Sequence, residues 1–183
     1  YYTPLKVVEK AYELLRQVLG KGWQKEYIVW DPCCGVGNLE TKHGNVRNVY
    51  MSTLDVADID VMKATKTCVA AQRFQYDYLN DDIGEDGNID YSLTGKVPAT
   101  LQKAIEDARH GKKKILVLMN PPYAEATNAD NTSKSAGSAK NKSGVAKTKM
   151  SSFCMQDYGK ASNELFTQFV ARIAKEIPNA TLA

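Results

Sequence analysis

The chain is poor in the residues that build metal centres. Its 183 residues include four cysteines and two histidines. No two cysteines are spaced Cys-x-x-Cys, and His43 and His110 stand alone. The clustered ligand pairs of a structural zinc site are therefore missing, and no metal is expected. Cys33, Cys34, Cys68 and Cys154 read as reduced thiols of a cytosolic protein. Adjacent Cys33 and Cys34 suit small residues packed under a tight turn better than nucleophiles. No apolar run approaches the roughly 20 residues of a membrane span, so no membrane partner is expected. There is no internal repeat. Tyr1-Tyr2-Thr3-Pro4 carries neither an initiator Met nor a charged-then-apolar leader, and reads as a cut inside a longer protein. A net charge of +3 gives only a weak pull toward a polyanion.

What the chain does contain is alternation of short apolar runs with helical periods, at a length that suits one domain. Thr3-Pro4 offers an N-cap followed by proline at the first helical position. Leu5, Val8, Leu15 and Leu19 then recur at helical spacing, and Gly20 and Gly22 end the run. Tyr27 to Trp30 reads as a buried strand, stopped by Asp31-Pro32. Asn48 to Leu54 reads as a second strand, and Ala57 to Ala71 as a helix with Ile59, Met62 and Val69 on one side. Arg73 to Tyr78 suits a third strand, and Thr100 to His110 a helix buried through Leu101, Ala104, Ile105 and Ala108. Ile115 to Met119 is the plainest strand. Asn163 to Ile177 reads as a helix with Leu165, Phe166, Phe169, Val170 and Ile173 toward a core, and Ala180 to Ala183 as the opening of a fifth strand. Strand–helix alternation implies parallel pairing through right-handed crossovers, hence an α/β fold. Residues 125–150 break the pattern. They have a single Val, no aromatic residue and the lysines Lys134, Lys140, Lys142, Lys147 and Lys149. Too little apolar surface is present to offset ordering, so a flexible loop is expected there.

Two constellations carry chemistry. Asp31-Pro32-Cys33-Cys34-Gly35-Val36-Gly37-Asn38 comes directly after the first strand. Gly35 and Gly37 let the backbone approach a ligand closely. A dinucleotide site would want a third glycine at position 40, where Glu40 stands instead and would repel a pyrophosphate. S-adenosylmethionine has no phosphate, and its cationic amino group suits Asp31. Asp55, ending the second strand, is placed to accept from both ribose hydroxyls, with Asp58 as a competitor. Asp77, near the end of the third strand, is placed to accept from the cofactor's adenine amino group. Asn120-Pro121-Pro122-Tyr123 comes after the fourth strand. Its prolines stiffen the turn, so that the Asn120 side-chain oxygen and the Pro121 carbonyl can hold the hydrogens of an exocyclic amine. That pulls the nitrogen lone pair out of conjugation and aims it, without a strong base. Tyr123 can stack on the target base, a contact worth about 1–3 kcal/mol.

These segments together resemble the gamma-type DNA adenine-N6 methyltransferases of restriction–modification systems. In that family a Thr-Pro segment, an Asp-Pro-x-x-Gly-x-Gly loop and Asn-Pro-Pro-Tyr occur in this order. The resemblance spans nearly the whole chain outside the lysine-rich segment. It implies S-adenosylmethionine as cofactor, with Tyr2, Thr3 and Pro4 beside its methionine part, and double-stranded DNA with a flipped adenine as partner. It implies a Rossmann-like methyltransferase sheet in order 3-2-1-4-5, stopping before a closing hairpin. Residues 1–183 would be a partial catalytic domain of a cytoplasmic, bacterial-type protein whose target-recognition domain lies further on, leaving the isolated chain inactive. The chain departs from the family in a short helix after the glycine loop, broken at His43-Gly44, and in the long segment after Tyr123. Methyltransferases of protein glutamine or of RNA bases share the tetrapeptide and form the alternative enzyme class; a non-catalytic DNA-binding module is the alternative outside it.

Overall fold

The computed structural model describes residues 3–123 and 147–183. Tyr2 and lysines 134, 140 and 142 lie outside the described residues. The five expected strands become β1 (Tyr27–Asp31), β2 (Val49–Thr53), β3 (Gln72–Gln75), β4 (Lys114–Val117) and β5 (Thr181–Leu182). They form one sheet, parallel at every pairing, in the expected order β3-β2-β1-β4-β5. The fold is Rossmann-like α/β.

Side-chain alternation along the strands gives the sheet two faces. On one, Val29, Val49, Met51 and Leu116 join Val8, Tyr12 and Leu15 of α1 (Leu5–Leu19). Trp23 from the short α2 (Trp23–Glu26) joins that cluster, and Ile59 and Met62 of α3 (Val56–Ala64) complete it. On the other, the fully buried Trp30 donates from Nε1 to Ser52 Oγ (3.0 Å). Tyr50 there bonds Thr100 of α4 (Ala99–Arg109) at 2.8 Å. Both polar contacts satisfy groups that burial would otherwise leave without partners.

Several expected boundaries move. The N-cap of α1 is Pro4 and not Thr3, whose hydroxyl is engaged elsewhere. The helix expected through Ala71 ends at Ala64, because Lys66 and Cys68 adopt left-handed backbone (φ 54° and 50°), and Val69 is 63% exposed. The third strand stops at Gln75, short of Asp77. Of the segment expected to be a loop, residues 125–146 lie outside the described residues, and Lys149 and Met150 at its end are helical. Thr148 accepts from the Ser151 N–H and Ser151 Oγ accepts from the Thr148 N–H, a reciprocal cap that opens α5 (Lys149–Cys154) and buries Met150.

The described chain gathers into two compact units. The first (described residues of 1–78, with 95–120 and 177–183) holds the sheet. The second (79–94 and the described residues of 121–176) is built on α5 and α6 (Leu165–Glu176). Leu165, Phe169 and Ile173 are buried in α6 as expected, but Phe166 is not, and Gln168, Arg172 and Glu176 are buried instead. Arg172 Nη2 and Glu176 Oε2 pair at 3.1 Å with no solvent exposure. Tyr91 donates to Glu176 (2.9 Å) and Arg172 donates to the Asp81 carbonyl (2.7 Å). Removing one member leaves the other as an uncompensated buried charge, so Arg172→Met should cost about 3–5 kcal/mol. Urea denaturation should show Arg172→Met/Glu176→Leu losing less than the sum of its single variants.

Candidate functional site

A parallel sheet puts the carboxyl ends of all its strands on one edge. The order β3-β2-β1-β4-β5 makes β1 and β4 the pair at which the chain reverses direction across the sheet. Crevices at that switch point are where α/β sheets bind ligands. The loops leaving β1 and β4 meet there. Thr3, Asp31, Cys33, Cys34, Asn38 and Asn120 line a narrow polar cleft together with Val36 and Leu39. The Asn120 amide nitrogen donates to Thr3 Oγ1 at 3.1 Å, across 117 residues of sequence. This commits the nitrogen and leaves the amide oxygen as an acceptor. A larger, apolar cavity of about 480 Å³ runs beside the cleft along Val7, Leu14 and Val18 of α1. It shares Thr3, Leu39 and Asn120 with the cleft but has little else that would orient a polar ligand.

The loop after β1 is built inward. Asp31 is buried, and its Oδ1 accepts the Cys33 N–H at 3.0 Å. The Cys34 N–H donates to the Ser52 carbonyl (2.9 Å), tying the loop to β2, and Pro32 is buried beneath it. Tyr12 of α1 donates to the Leu39 carbonyl (2.9 Å). Burial pushes the Cys33 and Cys34 thiols well above their ordinary range, with Asp31 and Glu40 adding to it, so both stay protonated and neither is a nucleophile.

The two glycines differ. Gly35 has φ +54° and faces open space, in keeping with close approach of a ligand. Gly37 has φ +85°, and a Cβ there would lie 2.7 Å from Met51 Cε and 3.1 Å from Met62 Sδ. Its missing side chain seats the loop on the core. Only a single 3-10 turn, Asn38–Glu40, comes next, so there is no aligned helix to attract a pyrophosphate. Glu40 is likewise not at the mouth; it is wholly buried under the loop beside Asp31. Its charge is therefore not placed to repel a pyrophosphate at the mouth of the cleft, contrary to expectation.

Asp55 is exposed just past β2 and caps α3, its Oδ1 accepting the Ala57 N–H at 2.9 Å. Its competitor Asp58 is committed to Thr53, whose hydroxyl donates to Oδ2 at 2.7 Å. Leu54, Asp55, Val56 and Gln75 line a shallow pocket. Asp77 is half-buried, two residues beyond the end of β3. Pro4 is exposed at the start of α1.

The Asn-Pro-Pro-Tyr segment divides between the units, Asn120 ending this part of the first and Pro121 opening this part of the second. In the second unit Pro121 is buried, Pro122 half-buried and Tyr123 65% exposed. Tyr123 stacks on Phe166 of α6, with ring centroids 5.9 Å apart and planes 18° from parallel. Phe166 is 42% exposed; helical periodicity assigns it to the core, so the sequence gives no sign of this contact.

No family profile and no curated protein matches the chain. Among solved structures, the chain is similar to one described as a cryo-EM structure of a DrdV–DNA complex, with a TM-score of 0.50 and 16% identity. The match covers 97% of this chain and 19% of that one. At that identity the likeness is one of fold, and the chain spans about a fifth of its neighbour's length.

The Gly37 geometry sets a stability order. Gly37→Ala carries both the left-handed backbone and the Met51 clash and should cost about 2–4 kcal/mol, against about 1 kcal/mol for Gly35→Ala. Urea midpoints with an unchanged slope would establish it. His43 gives a second test. Its Nδ1 accepts the Asn45 N–H (2.9 Å), and burial lowers its pKa to about 4. The unfolded chain takes that proton near pH 6.5. The unfolded state thus binds more protons between these values, so the His43 contribution is complete above about pH 6.5 and is lost as pH falls toward 4. His43→Gln should flatten that part of the stability profile.

Proposed function

We propose that the chain binds S-adenosylmethionine and serves transfer of its methyl group to the N6 amine of adenine in DNA. The observation that carries this reading is the Asn120–Thr3 hydrogen bond at the switch point. It brings the Thr-Pro segment, the Asp-Pro-glycine loop and the first residue of Asn-Pro-Pro-Tyr into one cleft. The donor set suits the cofactor: a buried carboxylate at Asp31 faces the cleft, and Asp55 keeps one oxygen for ribose hydroxyls at an exposed edge. The fold shared with a protein solved in complex with DNA supports DNA as the partner over protein or RNA.

S-adenosylmethionine, when bound, supplies an electrophilic methyl on a sulfonium. The chain supplies positioning. Asp31 attracts the cofactor's ammonium group. Asn120, its amide nitrogen held by Thr3, offers its oxygen to one hydrogen of the target amine. That contact strengthens as positive charge develops on the nitrogen, so it favours the transition state over the ground state. Tyr123 presents an aromatic face to the flipped base, and Phe166 backs that face in α6.

Calorimetry of the chain should detect S-adenosylmethionine or its demethylated product and little NAD; the reverse order would overturn the cofactor assignment. Asp55→Ala should weaken the cofactor by about ten-fold without unfolding, since it loses one ribose contact and a helix cap. Single-turnover methyl transfer to adenine-containing DNA by the intact protein isolates the chemistry. Asn120→Ala should slow the chemical step by about 10²-fold or more while sparing cofactor affinity. Tyr123→Phe should be mild and Tyr123→Ala severe for base capture. An unchanged chemical step in Asn120→Ala would reduce the tetrapeptide to a structural turn.

A further inference from the structure

Glu40 has no role in the site as described, yet it is the least satisfied polar group beneath it. Both carboxyl oxygens are buried, and no donor from another described residue satisfies either, its own backbone N–H acting on the carboxyl only weakly. The group it faces is Asp31, equally buried. Two carboxylates offer each other only lone pairs, so this contact is satisfied only when one of them carries a proton. The two are not equivalent. Asp31 already accepts the Cys33 N–H and lines the cleft, whereas Glu40 has no donor from another residue and no opening.

We infer that Glu40 is a positioning residue: it keeps its carboxyl proton, donates it to Asp31, and so presents to the cleft a single negative charge of fixed orientation. Use of that charge for a cofactor ammonium rests on the function proposed above; the retained proton is a property of the chain alone. Burial, first, and then the Asp31 charge both hold Glu40 well above the usual carboxylate range. The other titratable groups that face the pair are Tyr12 from α1, Cys33 and Cys34 from the loop, and Cys68 beyond α3. Burial raises all four, so they stand neutral near pH 7 and bring no cation to stabilise a second charge. Arg73 acts on Cys68. A doubly ionised pair would stay buried only at a desolvation cost far above what the loop's backbone bonds return.

Carboxyl carbon NMR of glutamate-labelled chain, with Glu40→Gln to assign the signal, reads the proton directly. A protonated shift at pH 7 is expected, and an ionised one overturns the inference. Calorimetry with S-adenosylmethionine reads the positioning. Glu40→Gln, whose amide still donates to Asp31, should bind within about three-fold of the wild type, while Glu40→Leu should lose about ten-fold. Equal losses in the two variants would overturn the positioning role. Should Glu40→Leu not fold, stability against pH decides. A raised folded pKa means the Glu40 contribution is complete below its unfolded value and is lost as pH rises through the folded one. The wild type should show that loss and Glu40→Gln should not; identical profiles refute the retained proton. If the wild type binds no S-adenosylmethionine, the cofactor reading fails, and the NMR shift still decides the proton.

Discussion

A strand paired on both sides and covered on both faces can carry a carboxylate only at its end, and only if that carboxylate is provided for. Asp31 stands in that position at the end of β1, between β2 and β4. Most of the geometry around the cleft results from providing for it. The chain turns at Pro32 so that the Cys33 N–H comes back to Asp31 Oδ1, and the next amide, Cys34 N–H, is spent on the Ser52 carbonyl of β2. With the loop held down at both points, Gly37 must pass over Met51 and Met62 with no room for a Cβ. That passage delivers Leu39 to the Tyr12 hydroxyl and Glu40 to the space under Asp31. The cleft is the space left open above the carboxylate, and Asn120 closes its far side by holding Thr3.

The fold was legible because its signals are local and redundant. Short β-prone runs, apolar in all but the third, marked five strands, and alternation with helical periods required parallel crossovers. Boundaries and the direction of individual side chains were less legible. Nothing in the composition of Thr65 to Ala71 announces that Lys66 and Cys68 turn left-handed and end α3. Thr3 has the chemistry of an N-cap, and a tertiary partner 117 residues away outbids that local role. Phe166 lies on the apolar period of α6, but the buried Arg172–Glu176 pair takes interior space that periodicity assigns to hydrocarbon, and the ring is left outside against Tyr123. Thr148 and Ser151 were hidden in a lysine- and serine-rich stretch whose average composition masks a four-residue capping signal.

The candidate site was legible to a different degree. Asp31, Cys33, Asn38 and Asn120 meet with Thr3 in one cleft, and Asp55 stands exposed at the same sheet edge while Asp58 is engaged. Motif spacing is enough for this, since each motif lies directly after a strand and a parallel sheet does the gathering. The division of labour within the glycine loop was not legible. Two glycines two residues apart look alike in sequence, yet one faces open space and the other faces a methionine sulfur. The packing of Met51, Met62 and Thr67 separates them.

The same loop argues for the class of ligand. A phosphate-binding turn needs backbone N–H groups converging at the start of a regular helix, where the aligned peptide dipoles are worth about half a charge. Here the chain makes one 3-10 turn and leaves helical geometry, so no such positive end exists. What lies beneath the cleft is instead a buried pair of acids, Asp31 and Glu40. A pyrophosphate entering this cleft would meet a carboxylate with no dipole to offset it. With Glu40 protonated, as inferred above, the ammonium of the proposed cofactor would meet a single charge in a water-poor setting, where each is worth more than in bulk solvent. The proposed preference for an ammonium-bearing cofactor over a dinucleotide therefore rests on the lone 3-10 turn after Gly37 and on the acid beneath Asp31, and needs no charge at the mouth of the cleft.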